Sequence, residues 1–213
     1  MPDDLRLEVF SSSGADCRGS SRAEFVARAV LAGGTLAAGG ALVASLPRLA
    51  VSAPSPAQDQ KILNFALQLE YIEAAFYGEA FAKGKLSGDL LEFVSTVRGH
   101  ERAHVALLKK VLGRNARKQP KFDFGETTSV PKKFTAAAIA LEETVIAAYN
   151  GQAANLTKET LAEAAKIVSV EARHAGWIRA IAGRNPAPDA TDQPKTAAEI
   201  QADVNRTGFV RSS

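Results

Sequence analysis

Along residues 58–183 the apolar side chains recur at alternating intervals of three and four, the period of a helix face, and charge interrupts this pattern at four places. The seams read Leu63, Leu67, Glu70, Ala74, Tyr77, Phe81; Leu90, Val94, Val97, Glu101, His104, Leu108, Val111; Ala138, Glu142, Val145, Tyr149; and Ala164, Ile167, Glu171, His174, Ile178, Ile181. Each is apolar except near its middle, where a glutamate stands, and two seams add a histidine three residues later. An ionised carboxylate in a dry core costs several kcal/mol even after relaxation. Four of them exceed what a domain with a net stability of about 5–15 kcal/mol can absorb. Two divalent cations would balance four carboxylates, and neutral imidazoles would add nitrogen ligands without changing that balance.

The same periodicity predicts an all-α fold with four long helices, over residues 58–82, 88–112, 134–149 and 158–182. Gly84 and Ser87 break the first pair, Gly113 ends the second helix, Asn150-Gly151 end the third, Thr157 stands where it would cap the fourth, and Gly183 closes it. Short breaks imply two antiparallel hairpins. The segment between them, 113–133, contains Pro120 and Pro131. Extended chain covers about 3.3 Å per residue against about 1.5 Å in a helix, so this segment can run the full length of the bundle. The expected architecture is a ferritin-like four-helix bundle with one long crossover. Beyond it, Pro186, Pro188 and Pro194 mark an extended tail, in which Thr196 and Glu199 form a capping box for one short helix before Gly208.

The two halves repeat. Leu69-Glu70 is followed by Ala74-Ala75 and Tyr77, and Leu141-Glu142 by Ala147-Ala148 and Tyr149, so in both a tyrosine falls seven residues after the glutamate. Each half then carries Glu-x-x-His on its second helix, as Glu101 with His104 and Glu171 with His174. The repeat selects Glu142 over Glu143 as the seam residue. Residues three apart share a helix face, so each Glu-x-x-His pair can reach one ion. Folding each hairpin about its break brings the glutamate of one helix level with the pair on the other.

A glutamate on each of two helices and Glu-x-x-His on the other two resembles the ligand pattern of ferritin-like di-iron or di-manganese carboxylate proteins. The run Ile62-Leu63-Asn64-Phe65-Ala66, continuing into Leu69-Glu70-Tyr71-Ile72-Glu73-Ala74-Ala75-Phe76-Tyr77, is similar to an exported ferritin-like family that includes plant desiccation-related proteins. The resemblance covers residues 58–183. It implies that Glu70, Glu101, His104, Glu142, Glu171 and His174 bind two iron or manganese ions, with Glu101 and Glu171 able to bridge. It further implies that Tyr77 and Tyr149, the candidate catalytic residues, hydrogen-bond a ligand or donate single electrons. Metal ions and small oxidants would be the partners, in ferrous oxidation or in oxygen or peroxide reduction. The alternative it carries is a non-enzymatic stress or desiccation-related bundle.

One competing motif is present. His100-Glu101-Arg102-Ala103-His104 is His-Glu-x-x-His, the helical zinc-peptidase signature, for which Glu126 is a candidate third ligand. That reading leaves Glu70, Glu142, Glu171, His174 and the tyrosine repeat without a role, and the second-half equivalent of His100 is Val170. Glu73 and Glu143 are expected to face solvent or to back up a ligand.

The domain plan places an export signal at 1–53, the bundle at 54–183 and a Pro-rich tail at 184–213. Residues 29–47 are uncharged between Arg28 and Arg48, and Val51-Ser52-Ala53 offers small residues for cleavage. Ser21-Arg22-Ala23-Glu24-Phe25-Val26 resembles a twin-arginine signal with Ala23 in place of the second arginine. Cleavage near Ala53 predicts a periplasmic or extracellular protein, and retention predicts a membrane anchor. The lone cysteine, Cys17, would leave with the leader, so the mature chain would have neither disulfides nor thiolate ligands. A net charge of +3, with bases scattered among acids, gives no nucleic-acid face. A homo-oligomer is compatible with this sequence.

Overall fold

Ser55 and Pro56 start the first helix by two local effects: the Ser55 hydroxyl accepts the Gln58 N–H, and proline in the first turn has no N–H to leave unpaired. This helix, α1 (Pro56–Lys83), stops at Gly84, whose φ of 59° lies in the left-handed region. The computed structural model describes residues 53–211 and continues through α2 (Asp89–Leu112), β1 (Lys121–Phe122), α3 (Pro131–Gln152), α4 (Lys158–Ile181), α5 (Ala197–Thr207) and β2 (Val210–Arg211). The fold is an all-α bundle in which α1 packs on α2 and α3 on α4. Of the expected leader at 1–53, residues 1–52 lie outside the described residues. Among those described, no helix is long and apolar enough to cross a membrane.

The crossover between α2 and α3 is tied along α1 by side chains. Asn64 bonds the carbonyl of Asn115 and the N–H of Arg117, Tyr71 donates to the Arg117 carbonyl, and Lys83 donates to Gly125 O and Thr128 Oγ1. The linker therefore follows α1 from near its start to its end. Phe76 holds this side of the bundle together. Its ring stacks on Phe134 of α3 at 5.3 Å, meets Phe124 of the crossover edge-on at 5.4 Å and lies 6.2 Å from Phe209 near the C-terminus.

Several local expectations are corrected. Helix α3 begins at Pro131, which sits in its first turn and so belongs to the helix rather than to the linker. Asn150-Gly151 do not end it. Gly151 lies inside the helix where the C-terminal tail crosses, and a Cβ there would stand 1.9 Å from the Lys195 carbonyl oxygen. The tail is fixed at that crossing by the Lys195 N–H, which donates to Ala147 O at 3.0 Å. Thr157 precedes α4, but its side chain makes no capping bond. Buried Asp59 of α1 takes that part, accepting from Thr157 N–H at 2.9 Å and from the Thr157 and Thr160 hydroxyls. At the seam ends, Phe81 and Val111 are exposed, and Phe81 instead carries the Arg98 guanidinium at 3.8 Å above its ring. Two short strands also form, where β1 pairs antiparallel with β2 through Lys121↔Arg211 and Phe122↔Val210. The Thr196–Glu199 capping box opens α5, which packs on α3.

Gly151→Ala tests the tail crossing. Alanine should gain about 1 kcal/mol in a helix interior, but the carbonyl contact forces overpacking, which costs about 1–3 kcal/mol. The expected outcome is a lower melting temperature together with faster proteolysis between α4 and α5. Unchanged proteolysis would show that the tail accommodates the methyl group.

Candidate metal centre

The seam positions place six polar side chains at one level of a core that is otherwise apolar. Glu70, Glu101, Glu142 and Glu171 are fully buried, and His104 and His174 nearly so. Their ligand atoms form two groups. Glu70, Glu101, His104 and Glu171 make one, and Glu101, Glu142, Glu171 and His174 the other, with the atoms of each group all within 4.8 Å of one another. All six sequence candidates are brought together, and Glu101 and Glu171 belong to both groups.

Each shared carboxylate divides its oxygens between the groups. Glu101 turns Oε2 to His104 Nδ1 at 3.3 Å and Oε1 to His174 Nδ1 at 3.2 Å. Glu171 turns Oε1 to His104 Nδ1 at 2.7 Å and Oε2 to His174 Nδ1 at 3.3 Å. The remaining glutamates serve one group each, with Glu70 Oε2 at 3.3 Å from His104 Nδ1 and Glu142 Oε2 at 3.5 Å from His174 Nδ1.

The outer oxygens of Glu70 and Glu142 are held by the tyrosines, crosswise. Tyr77 of α1 donates to Glu142 Oε1 on α3, while Tyr149 of α3 donates to Glu70 Oε1 on α1 at 2.8 Å. Because α1 and α3 run antiparallel, a tyrosine two turns beyond one glutamate comes level with the other. Burial first, then the adjacent carboxylates, push both phenols well above their ordinary pKa, so they act as neutral donors.

The donor set fits a pair of divalent ions. Glu70 Oε2, Glu101 Oε1, Glu142 Oε2 and Glu171 Oε1 are buried without a hydrogen-bond partner. Each lies within 3.5 Å of an imidazole Nδ1, the placement expected of lone pairs converging on a shared point. Four carboxylates and two imidazoles, with no thiolate, suit iron or manganese. One imidazole is also oriented from behind. His174 Nε2 lies 2.8 Å from Nδ1 of His100, whose ring stacks on it at 5.1 Å. A metal on His174 Nδ1 requires its proton on Nε2, and His100 is placed to accept that bond.

His100 therefore meets the centre through His174 and joins neither group. Glu126, the candidate peptidase ligand, is exposed and pairs with Lys133. Glu143 pairs with Arg179 at the surface. Glu73 does not face solvent: it is fully buried, and neither of its oxygens has a partner. Its three-residue spacing from Glu70 was the available signal, hidden because its counterpart in the second half is Val145.

Without metal, the charges of the cluster are met by protons. Burial raises the Glu70, Glu73 and Glu142 carboxyls well above the usual range, and neighbouring carboxylates push the same way. Burial would depress His104 and His174, but the surrounding glutamates outweigh it and push them up to about 12 and about 11. The same imidazoles overcome burial at Glu171 and hold it at about 2.

A group that binds its proton more tightly when folded contributes stability below its unfolded pKa and loses it as pH rises toward its folded value. That loss starts above 4.5 for the three raised carboxyls and above 6.5 for the imidazoles. Glu171 acts oppositely, but its contribution is complete above 4.5 and fades only toward about 2. The chelated protein is expected to melt lower at pH 9 than at pH 6. Metal binding requires deprotonated ligands, so loaded protein should show little or none of this decline. Thermal unfolding at the two pH values checks both; a chelated protein whose melting point rises toward pH 9 would contradict the proton-filled cluster.

Comparison with known proteins agrees with the helix pattern. The family model described as a ferritin-like domain matches residues 58–184, more than half of the chain, and no curated protein matches. The chain belongs to the ferritin-like domain family.

Proposed function

We propose that this protein binds two iron or manganese ions in its bundle core and uses them in redox chemistry outside the cytoplasm. The observation that carries this reading is the pair of overlapping ligand groups sharing Glu101 and Glu171. When bound, the ion pair would supply electrons to oxygen or peroxide, or accept them from further ferrous iron. Glu101 and Glu171 would bridge the ions, while Glu70 with His104 and Glu142 with His174 would each complete one position. Tyr77 and Tyr149 would fix the outer glutamates so that each presents its second oxygen to an ion, and they stand one residue away from it for single-electron transfer. The apolar seams on either side keep bulk water from the carboxylates, which strengthens their hold on the ions. Export rests on the leader pattern in residues 1–53, with small oxidants met in the periplasm or outside the cell.

A second reading is a structural stress-related bundle. It is favoured by the protonated cluster, in which positive imidazoles between carboxylates can hold the four helices together without metal. The two readings differ in metal uptake and turnover.

The mature chain, loaded with ferrous or manganous ion and passed through a desalting column, should retain about two ions by elemental analysis. Glu101→Ala combined with His174→Ala should retain none, whereas His100→Ala should retain both. Rapid oxygen-dependent ferrous oxidation by the loaded protein is expected, slowed by Tyr77→Phe if that phenol carries electrons. Two ions surviving the double substitution would remove the metal assignment, and loading without turnover would favour the structural reading.

A further inference from the structure

Glu73 is the buried ionisable group that the six-residue cluster leaves without a role. It is fully buried with both oxygens unpartnered, on the same face of α1 as Glu70 and Tyr77 and between them. When the halves are matched by Glu70 with Glu142 and Tyr77 with Tyr149, Glu73 falls on Val145, which is 1% exposed. A valine is thus what the repeated fold accommodates at this place, and a carboxyl needs a reason to be there.

The second departure from the repeat points to the same place. His100, bonded to His174, falls on Val170. On α1, Glu73 lies one turn before Tyr77, whose hydroxyl holds Glu142. Both additional polar groups therefore gather around the Glu142–His174 position. At the Glu70–His104 position the equivalent places are held by valines. α1 thus carries Glu70-x-x-Glu73 where α2 and α4 carry Glu-x-x-His, a second carboxyl standing on the inward face where those helices place an imidazole.

We infer that Glu73 is a further carboxylate ligand for the ion held between Glu142 and His174, making the two metal positions unequal. The inference rests on the di-metal reading above. Its oxygens stand outside the two groups of mutually close ligand atoms, so Glu73 would have to turn its side chain to reach the ion. Four carboxylates already balance two divalent ions. A fifth matches a pair of higher charge, the condition reached when one ion is oxidised.

Glu73→Val places in α1 the residue that α3 carries at the equivalent position, and Glu73→Gln keeps the shape while removing the charge. Mn(II) titration of the full mature chain, followed by electron paramagnetic resonance and calorimetry, should find two ions in the wild type. In both variants one of the two should bind about tenfold or more weakly, the scale of removing a group that supports a metal site, with the other unchanged. Metal-free Glu73→Val should melt higher than the wild type, because an unpartnered buried carboxyl has gone; a merely structural Glu73 would give the reverse. Two ions bound by both variants with wild-type affinities would overturn this inference alone. A wild type that binds no Mn(II) would overturn the di-metal reading and the inference with it.

Discussion

The burial of four glutamates on the bundle axis is the constraint around which the rest of the molecule is arranged. In an apolar core such groups are tolerated only when something positive lies among them, either ions or protons. The positions of His104 and His174, each with Nδ1 turned inward, serve both states. Protonated, they hold the carboxylates together; neutral, they would offer nitrogen ligands from the same positions.

The tyrosine–glutamate bonds extend this constraint across the bundle. Tyr77 reaches from α1 to Glu142 on α3, and Tyr149 from α3 back to Glu70 on α1. Each ties a helix of one hairpin to a helix of the other. Together with the shared carboxylates of α2 and α4, they make all four helices parties to one polar network, in which a shift of any helix would disturb both ligand groups.

Outside this network the fold is secured by packing that is specific to this chain. The crossover is bonded along α1, and Phe76 gathers α3, the crossover and Phe209, just before β2, around a single ring. The tail then crosses α3 at Gly151, where only the absence of a side chain admits the Lys195 carbonyl. A glycine that reads as a helix stop is in this case a notch. Local propensity was misleading because the cause lies 44 residues away in the sequence, from 151 to 195.

The sequence by itself determined the helical period, the two-fold repeat and the six residues that meet at the centre, since spacings of three, four and seven fix which side chains share a face. It also distinguished Glu142 from Glu143, which differ by about 100° around a helix. It did not determine how the oxygens of Glu101 and Glu171 are divided, that the tyrosines bond crosswise, that His100 backs His174 or that Glu73 is fully buried. Those depend on the relative rotation and height of separate helices. Asp59 capping α4 and the tail lying over Gly151 are of the same kind. Periodicity assigns a residue to a face; only the packed structure decides which atoms that face meets, because partners on different helices are set by packing and not by their distance along the chain.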